Sequence, residues 1–396
     1  MGMDAYRFSI AWSRIFPNGS GEINQAGVDH YNNLINALLA NGIEPYLTFY
    51  HWDLPQALAD KYKGWLDPQI IDMLSEVRGP SDWITFNEPH TFAIQGYDVG
   101  IQAPGRCSIF LRLFCRAGNS ATEPYIIGHH VLLSHATAFD IYRKKYKRKQ
   151  HGSVGITLNV IWFEPMTDSN KDFEAAQRAQ DFQSGWTFLE QQLFLFGINA
   201  PGNVFSTDTH YSVLHQCYIT VFGTTVLWGI SKLNESRVGR RLPTFSRAEA
   251  ALVKGSLDFV GINHYTTYYA KDNSTDIIDL LLNDTLADPA WKHGKAIGER
   301  ASSIWLYIVP EGIRKLMNYI KLKYRNPTVI ITENGMDDAN NPLISIKKAL
   351  MDQKRIKYHN DYLTNLLASI KYVINYLIMA ENSSNQLRTR LNHSHT

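Results

Sequence analysis

The chain is short of several features whose presence would decide its class. It has three cysteines in 396 residues, Cys107, Cys115 and Cys217. Their spacing matches no zinc-binding pattern. No run of 18 apolar residues occurs, and no membrane span is expected. The formal charge of +2 supplies no strong attraction to nucleic acid or to an acidic membrane. No secretory leader is visible where Met1 is followed by Gly2, Met3 and Asp4. Internal repeats and low-complexity tracts are lacking too. The basic run Arg143–Lys149 reads as the solvated end of a helix.

What remains is a globular composition, 44% hydrophobic and 19% charged. Aromatics reach 12%, with 21 Tyr and 9 Trp. Flat aromatic faces suit stacking on sugar rings, and they equally suit a large core. Cys107 and Cys115 close a short loop and can pair in an oxidising compartment, leaving Cys217 over. Asn-x-Ser/Thr acceptors at Asn18, Asn234, Asn273, Asn283, Asn382 and Asn392 hint at secretion.

Six short apolar runs read as buried parallel strands: residues 5–10, 44–50, 82–86, 154–161, 257–262 and 328–332. Helical spacing fills 26–41, 122–146 and 309–322. Strand and helix alternate, which argues for a parallel α/β fold. Each strand also ends in a chemically loaded tag. These are Arg7, His51-Trp52-Asp53, Asn87-Glu88-Pro89, Trp162-Phe163-Glu164, Asn263-His264-Tyr265 and Glu333-Asn334-Gly335. A doubly wound sheet concentrates function at one switch point, whereas a (β/α)8 barrel loads the C-terminal end of every strand. The repeated loading predicts the barrel. His129, His130 and His135 share a helical stretch with no accompanying carboxylate, so they read as core histidines and not as a metal site.

ITFNEPH (84–90) and VIITENG (329–335) together resemble the two catalytic motifs of glycoside hydrolase family 1. YRFSIAWSRIFPNGSGEINQAGVDHYNNLI, EPYLTFYHWDLPQAL, KGSLDF and FVGINHYTT are similar to that family as well. The likeness to its plant β-glucosidases runs over about 2–74, 82–186, 237–276 and 296–371. The resemblance implies a retaining β-glucosidase that needs no cofactor or metal and acts on a small β-glucoside or oligosaccharide. Retention uses two carboxyl groups roughly 5–5.5 Å apart. By resemblance Glu333 is the nucleophile and Glu88 the acid/base. Arg7 keeps Glu333 ionised, and Tyr265 orients it. Asn87 bonds the sugar 2-hydroxyl, and His51 binds sugar hydroxyls. Asn263 lines the cleft, and Trp52 packs beneath the sugar. Thioglucosidases of the family carry Gln where this chain has Glu88, so O-glucosides are favoured. Two unit charges ~5.5 Å apart at an effective dielectric of ~20 repel by about 3 kcal/mol, enough to hold Glu88 protonated beside an ionised Glu333.

The chain also departs from that pattern. The family segment holding strand 1 and a sugar-binding Gln has no counterpart before Met1. Residues 75–82 are too short for helix 3, and residues 185–233 match no element. From residue 372 a divergent tail replaces strand 8 and its sugar-binding Trp and Glu-Trp pair. The expectation is one incomplete barrel over 1–371, lacking strands 1 and 8 and exposing two sheet edges. Three functions follow: an active β-glucosidase, an inactive remnant or glycan-binding protein, or another β-glycosidase such as a β-galactosidase or β-mannosidase. Plant relatives are commonly secreted or vacuolar. Oligomeric state is not encoded in any of these features.

Overall fold

The computed structural model describes residues 2–71, 82–108, 115, 117–192, 239–272, 295–339 and 343–371. Cys217, the expected helix 3 deletion, most of 185–233 and the tail after Lys371 lie outside the described residues. The elements that position the site, in chain order, are β1 (Ala5–Ser9), α1 (Gln25–Ala40), β2 (Glu44–Tyr50), β3 (Asp82–Asn87), α2 (Pro89–Tyr97) and α3 (Glu123–Lys145). There follow β4 (Val154–Asn159), β5 (Trp162–Pro165), α4 (Asn170–Gln192), β6 (Phe259–Asn263), β7 (Thr267–Ala270), α5 (Glu311–Lys323) and β8 (Val329–Glu333). A last helix, α6, spans 353–371. The first eight residues of the unassigned stretch, 185–192, continue α4.

Six strands form one parallel sheet in the order β1-β2-β3-β4-β6-β8. The strands are apolar almost throughout, with Leu47, Ile84, Phe86, Ile156, Val260 and Ile262 fully or nearly fully buried. That pattern belongs to strands covered on both faces. A flat sheet of six strands would hold its outer pair roughly 24 Å apart at the usual ~4.8 Å spacing, well beyond the reach of an arginine. Yet Arg7 on β1 forms an ion pair with Glu333 on β8, 326 positions away. The sheet is therefore curled, and its concave face draws the two outer strands together in the manner of a barrel.

Two of the expected strand-end tags are placed otherwise. Trp162-Phe163-Glu164 is not a tag on the end of β4. It is a separate strand, β5, paired in parallel with β7 in a two-stranded sheet of its own. Glu164 accepts from Trp162 Nε1 at 2.6 Å and from Lys315 Nζ at 2.6 Å. Both bonds fall on Oε1, and none of the hydrogen bonds joining the tags of β1, β2, β3, β6 and β8 involves Glu164. Arg7, in turn, sits mid-strand and not at an end.

Helices cover the convex side. Ile127, Val131, Phe139 and Tyr142 of α3 share a core with Trp83 and Phe86 of β3. Tyr50 lies edge-on to Trp65 and Phe92, with ring centroids 5.0 and 5.2 Å away, the favoured aromatic geometry. On α5, Ile313, Leu316 and Ile320 are the buried stripe, and the last two pack on Leu158, Val260 and Ile262. Cys107 and Cys115 are joined in a disulfide with their Cα atoms 5.6 Å apart.

The helical histidines are core residues. His130 Nδ1 bonds Trp65 O at 2.7 Å, His135 Nδ1 meets Thr85 Oγ1 at 2.7 Å, and His129 stacks on Phe245. Among the described residues no group of His, Cys, Asp and Glu is placed to hold a metal ion, and no helix is long and apolar enough to cross a membrane. Burial pushes His135 and His264 down to about 4. In the unfolded chain both titrate near 6.5 and bind protons that the folded chain refuses, so stability is present above ~6.5 and is lost as pH falls toward ~4. At pH 4.5 the two together are expected to cost about 5 kcal/mol. Glu88, whose pKa burial raises, acts in the opposite direction and offsets part of this. Urea unfolding at pH 7 and pH 4.5 reads the difference; equal stability at both would contradict it.

Candidate active site

The site is assembled where β1, β2, β3, β6 and β8 bring their polar residues to one end of the concave face. Two departures from regular pairing aim it. The register of β3 on β4 shifts between Ile84 and Asn87, and that of β8 on β6 shifts between Ile331 and Glu333. Such irregularities re-aim side chains, and here each comes immediately before a loaded tag. Between them, Gly261 of β6 has no side chain to interpose; a Cβ there would collide with Thr157 and Thr332. Thr157 Oγ1 therefore donates directly to Thr332 Oγ1 at 3.3 Å.

Glu88 directly follows β3 in a left-handed conformation, φ 49° and ψ 64°, with Pro89 opening α2 behind it. Proline disfavours an α-helical conformation in the residue before it, and an L-residue in the left-handed region costs about 1–2 kcal/mol. Trp52 is likewise at φ 71°. Two strained non-glycine residues at adjacent strand ends are a mark of a functional site. The Glu88 backbone is pinned by its N–H to Thr157 O at 2.8 Å, and the residue is only 6% exposed.

One hydrogen-bond network joins seven of the expected residues to one another. Asn263 Nδ2 donates to Glu88 Oε1 at 2.6 Å and to Asn87 Oδ1 at 3.1 Å, while its own Oδ1 accepts from Thr332 Oγ1 at 2.7 Å. Asn87 Oδ1 accepts a second bond from Arg7 Nη2 at 2.7 Å. With that oxygen doubly occupied, the orientation of the Asn87 amide is settled. Its Nδ2 donates to His51 Nε2 at 3.2 Å, so the imidazole carries its proton on Nδ1. Arg7 Nη1 pairs with Glu333 Oε1, and Tyr265 OH donates to Glu333 Oε2 at 2.5 Å. Trp52 Nε1 donates to Asn87 O at 2.9 Å. All eight residues expected from the sequence thus converge here, Trp52 through the backbone of Asn87.

The two carboxyl groups sit in opposite environments. Both oxygens of Glu333 are engaged by donors, one of them cationic. Glu88 is pushed above the ordinary carboxylate range, first by burial. The charge of Glu333 adds a smaller push, and bonds from Asn263 and Thr91 pull the other way. This corrects the electrostatic argument made from sequence, which credited the neighbouring charge alone; desolvation of the charged form is the larger cause. His51 is pushed down by burial, against the pull of Glu333, which favours the neutral imidazole. Tyr265 is raised, by burial first and then by its bond to Glu333, so its phenol stays protonated and continues to donate.

Two neighbours were given no role from the sequence, Asn334 being named only within its strand-end tag and Trp305 not at all. Asn334 donates to His264 O at 2.7 Å. Trp305, 47% exposed, stands edge-on to Tyr265 with centroids 6.1 Å apart. It is an aromatic face open to solvent beside Glu333's partner, and nothing in its local sequence marks it.

Comparison with known proteins accounts for this arrangement. The model of glycosyl hydrolase family 1 matches residues 1–379, somewhat beyond the residue 371 at which the visible likeness ends. "Beta-glucosidase 6" of rice is 59% identical over 385 residues, covering 94% of this chain and 67% of that protein. "Beta-glucosidase 40" of Arabidopsis thaliana is 59% identical and is covered over 69% of its length. Among solved structures, a rice β-glucosidase superposes with a TM-score of 0.81 at 56% identity, covering 94% of this chain and 73% of that one; a mutant of it was solved in a covalent complex with glucose. A β-glucosidase from the fungus Humicola insolens in complex with glucose gives 0.77 at 34% identity, covering 93% of this chain and 72% of that one. The chain belongs to glycosyl hydrolase family 1.

Proposed function

We propose that the chain is a retaining β-glucosidase that hydrolyses O-β-glucosides, with Glu333 as nucleophile and Glu88 as acid/base. The observation that carries this is the unlike environment of two carboxyl groups joined through a single network: Glu333 between Arg7 and Tyr265, Glu88 buried and favouring its proton. A general acid must hold its proton while the nucleophile attacks, and the burial that raises the Glu88 pKa favours that role. Glu333 attacks the anomeric carbon while Glu88 gives its proton to the departing oxygen. Esterification then removes the negative charge of Glu333, and Glu88 draws a proton from water, which releases glucose. Asn87 retains one amide hydrogen for the sugar 2-hydroxyl, and His51 serves further hydroxyls. Trp52 and Asn263 hold these groups in place.

Relatives at 59% identity bear the name β-glucosidase, and this favours the activity over a non-catalytic glycan-binding chain and over a β-galactosidase or β-mannosidase. In this reading the six strands fill positions 2–7 of an eight-stranded barrel within a single domain. The support is that β1 pairs only with β2, and β8 only with β6, among the described residues.

The test is the anomer released. Hydrolysis of p-nitrophenyl β-D-glucoside followed by proton NMR is expected to give β-glucose first, with the α anomer appearing only by mutarotation. First release of α-glucose would mean direct displacement by water and would remove Glu333 as nucleophile.

A further inference from the structure

Behind the nucleophile lies a pair of tyrosines that the reaction chemistry does not use. Tyr358 and Tyr362, on successive turns of α6, are each 1% exposed. Their rings stack with centroids 4.1 Å apart and 22° between planes. Two phenols buried this completely are costly unless their hydroxyls find partners, and the partners found are specific. Tyr362 OH accepts from Val309 N at 3.2 Å and donates to the backbone oxygen of Tyr265 at 3.1 Å. Tyr358 OH accepts from Asn334 Nδ2 at 3.0 Å and approaches the same Tyr265 oxygen at 3.4 Å. Asn334 directly follows Glu333, and its other amide hydrogen goes to His264 O. His264 N in turn donates to Glu333 O at 3.0 Å.

The bonds form a closed bracket. α6 holds the backbone of Tyr265 on one side and the residue next to Glu333 on the other. Tyr265 is the residue whose hydroxyl meets Glu333 Oε2. We propose that Tyr358 and Tyr362 are positioning residues for the nucleophile, fixing through Asn334 and the Tyr265 carbonyl the angle at which the Glu333 carboxylate faces the anomeric carbon. This rests on the reading of Glu333 as nucleophile. Neither tyrosine touches substrate, so the bracket governs the rate of attack and not the strength of binding.

The experiment uses 2,4-dinitrophenyl 2-deoxy-2-fluoro-β-D-glucoside, which traps a glycosyl-enzyme, on the full chain and its Y362F, Y358F and Y142F variants. Its inactivation kinetics separate a rate constant for attack from a binding constant. In Y362F, which keeps the ring stack and the Asn334 contact, attack is expected to slow ~10-fold, since misplacement of a reacting group by a fraction of an ångström has effects of that order. The binding constant should stay within about twofold. Y358F should slow attack as well. Y142F removes a buried phenol from a different core cluster; it should lower the melting temperature without altering the attack rate. An unchanged rate of attack in folded Y362F would overturn the proposal, as would an equal slowing in Y142F. If Y358F does not fold, Y362F alone decides. Mass analysis of the labelled wild-type chain tests the parent reading separately: label on a residue other than Glu333 overturns that reading and this one with it, whereas label on Glu333 with unchanged Y362F kinetics overturns only this one.

Discussion

Replacing Glu333 with alanine is expected to lower turnover of p-nitrophenyl β-D-glucoside on the order of 10^5-fold, as loss of a nucleophile does in enzymes that work through a covalent intermediate. The fall should lie in kcat, because Glu333 acts on the anomeric carbon and the sugar hydroxyls are left to Asn87 and His51. The variant should still fold, although Arg7 loses its anionic partner. Arg7 keeps bonds to Asn87, Thr48 and Thr332 O, and its side chain is partly open to solvent, so the cation is not stranded. The vacated space offers a further readout. Azide or formate can enter from the face where the carboxylate stood, and attack from that face inverts the centre. Rescue by azide should therefore yield the α-glucosyl azide. Retention of more than ~1% of wild-type kcat in a homogeneous preparation would place the nucleophile elsewhere.

Much of this site could be read in the chain before any coordinate, and the reason is physical. A parallel strand buried on both faces is a run of apolar residues that ends abruptly in polar ones, so β2, β3, β6 and β8 announce both themselves and the end that carries chemistry. The pairing of Arg7 with Glu333 was legible only through family resemblance, because no local pattern links positions 326 apart. Three features were not legible. The sheet formed by β5 and β7 depends on pairing across about a hundred residues, and Trp162-Phe163-Glu164 read alone is as good a strand end as a strand. The cause of the raised Glu88 pKa is burial, which sequence spacing does not report. The bracket of Tyr358 and Tyr362 falls on a helix whose tyrosines, four apart, are indistinguishable from ordinary core residues until their hydroxyls are seen to converge on the carbonyl of Tyr265.

Replacement of Glu88 by alanine is expected to separate substrates by their leaving groups. General acid catalysis is worth roughly 10^2–10^4-fold, but only where the departing oxygen needs a proton. For an alkyl β-glucoside the loss in kcat/KM should be about 10^3–10^4-fold. For 2,4-dinitrophenyl β-D-glucoside the first step should be almost unaffected, since that phenolate departs unaided. Its glucosyl-enzyme should then accumulate, because no base remains to activate water, and a burst of phenolate should precede slow turnover. Azide needs no base and should restore turnover, entering from the Glu88 side to give the β-glucosyl azide, the opposite anomer from that expected of Glu333→Ala. The pH profile follows the same logic. In the wild type Glu88 must hold its proton for the first step, so kcat/KM should fall as pH rises through the Glu88 pKa, which burial lifts above the ordinary carboxylate range. In Glu88→Ala, with the activated substrate, that basic limb should vanish. Equal losses on the alkyl and dinitrophenyl substrates, or a basic limb that survives the substitution, would show that the proton comes from another group.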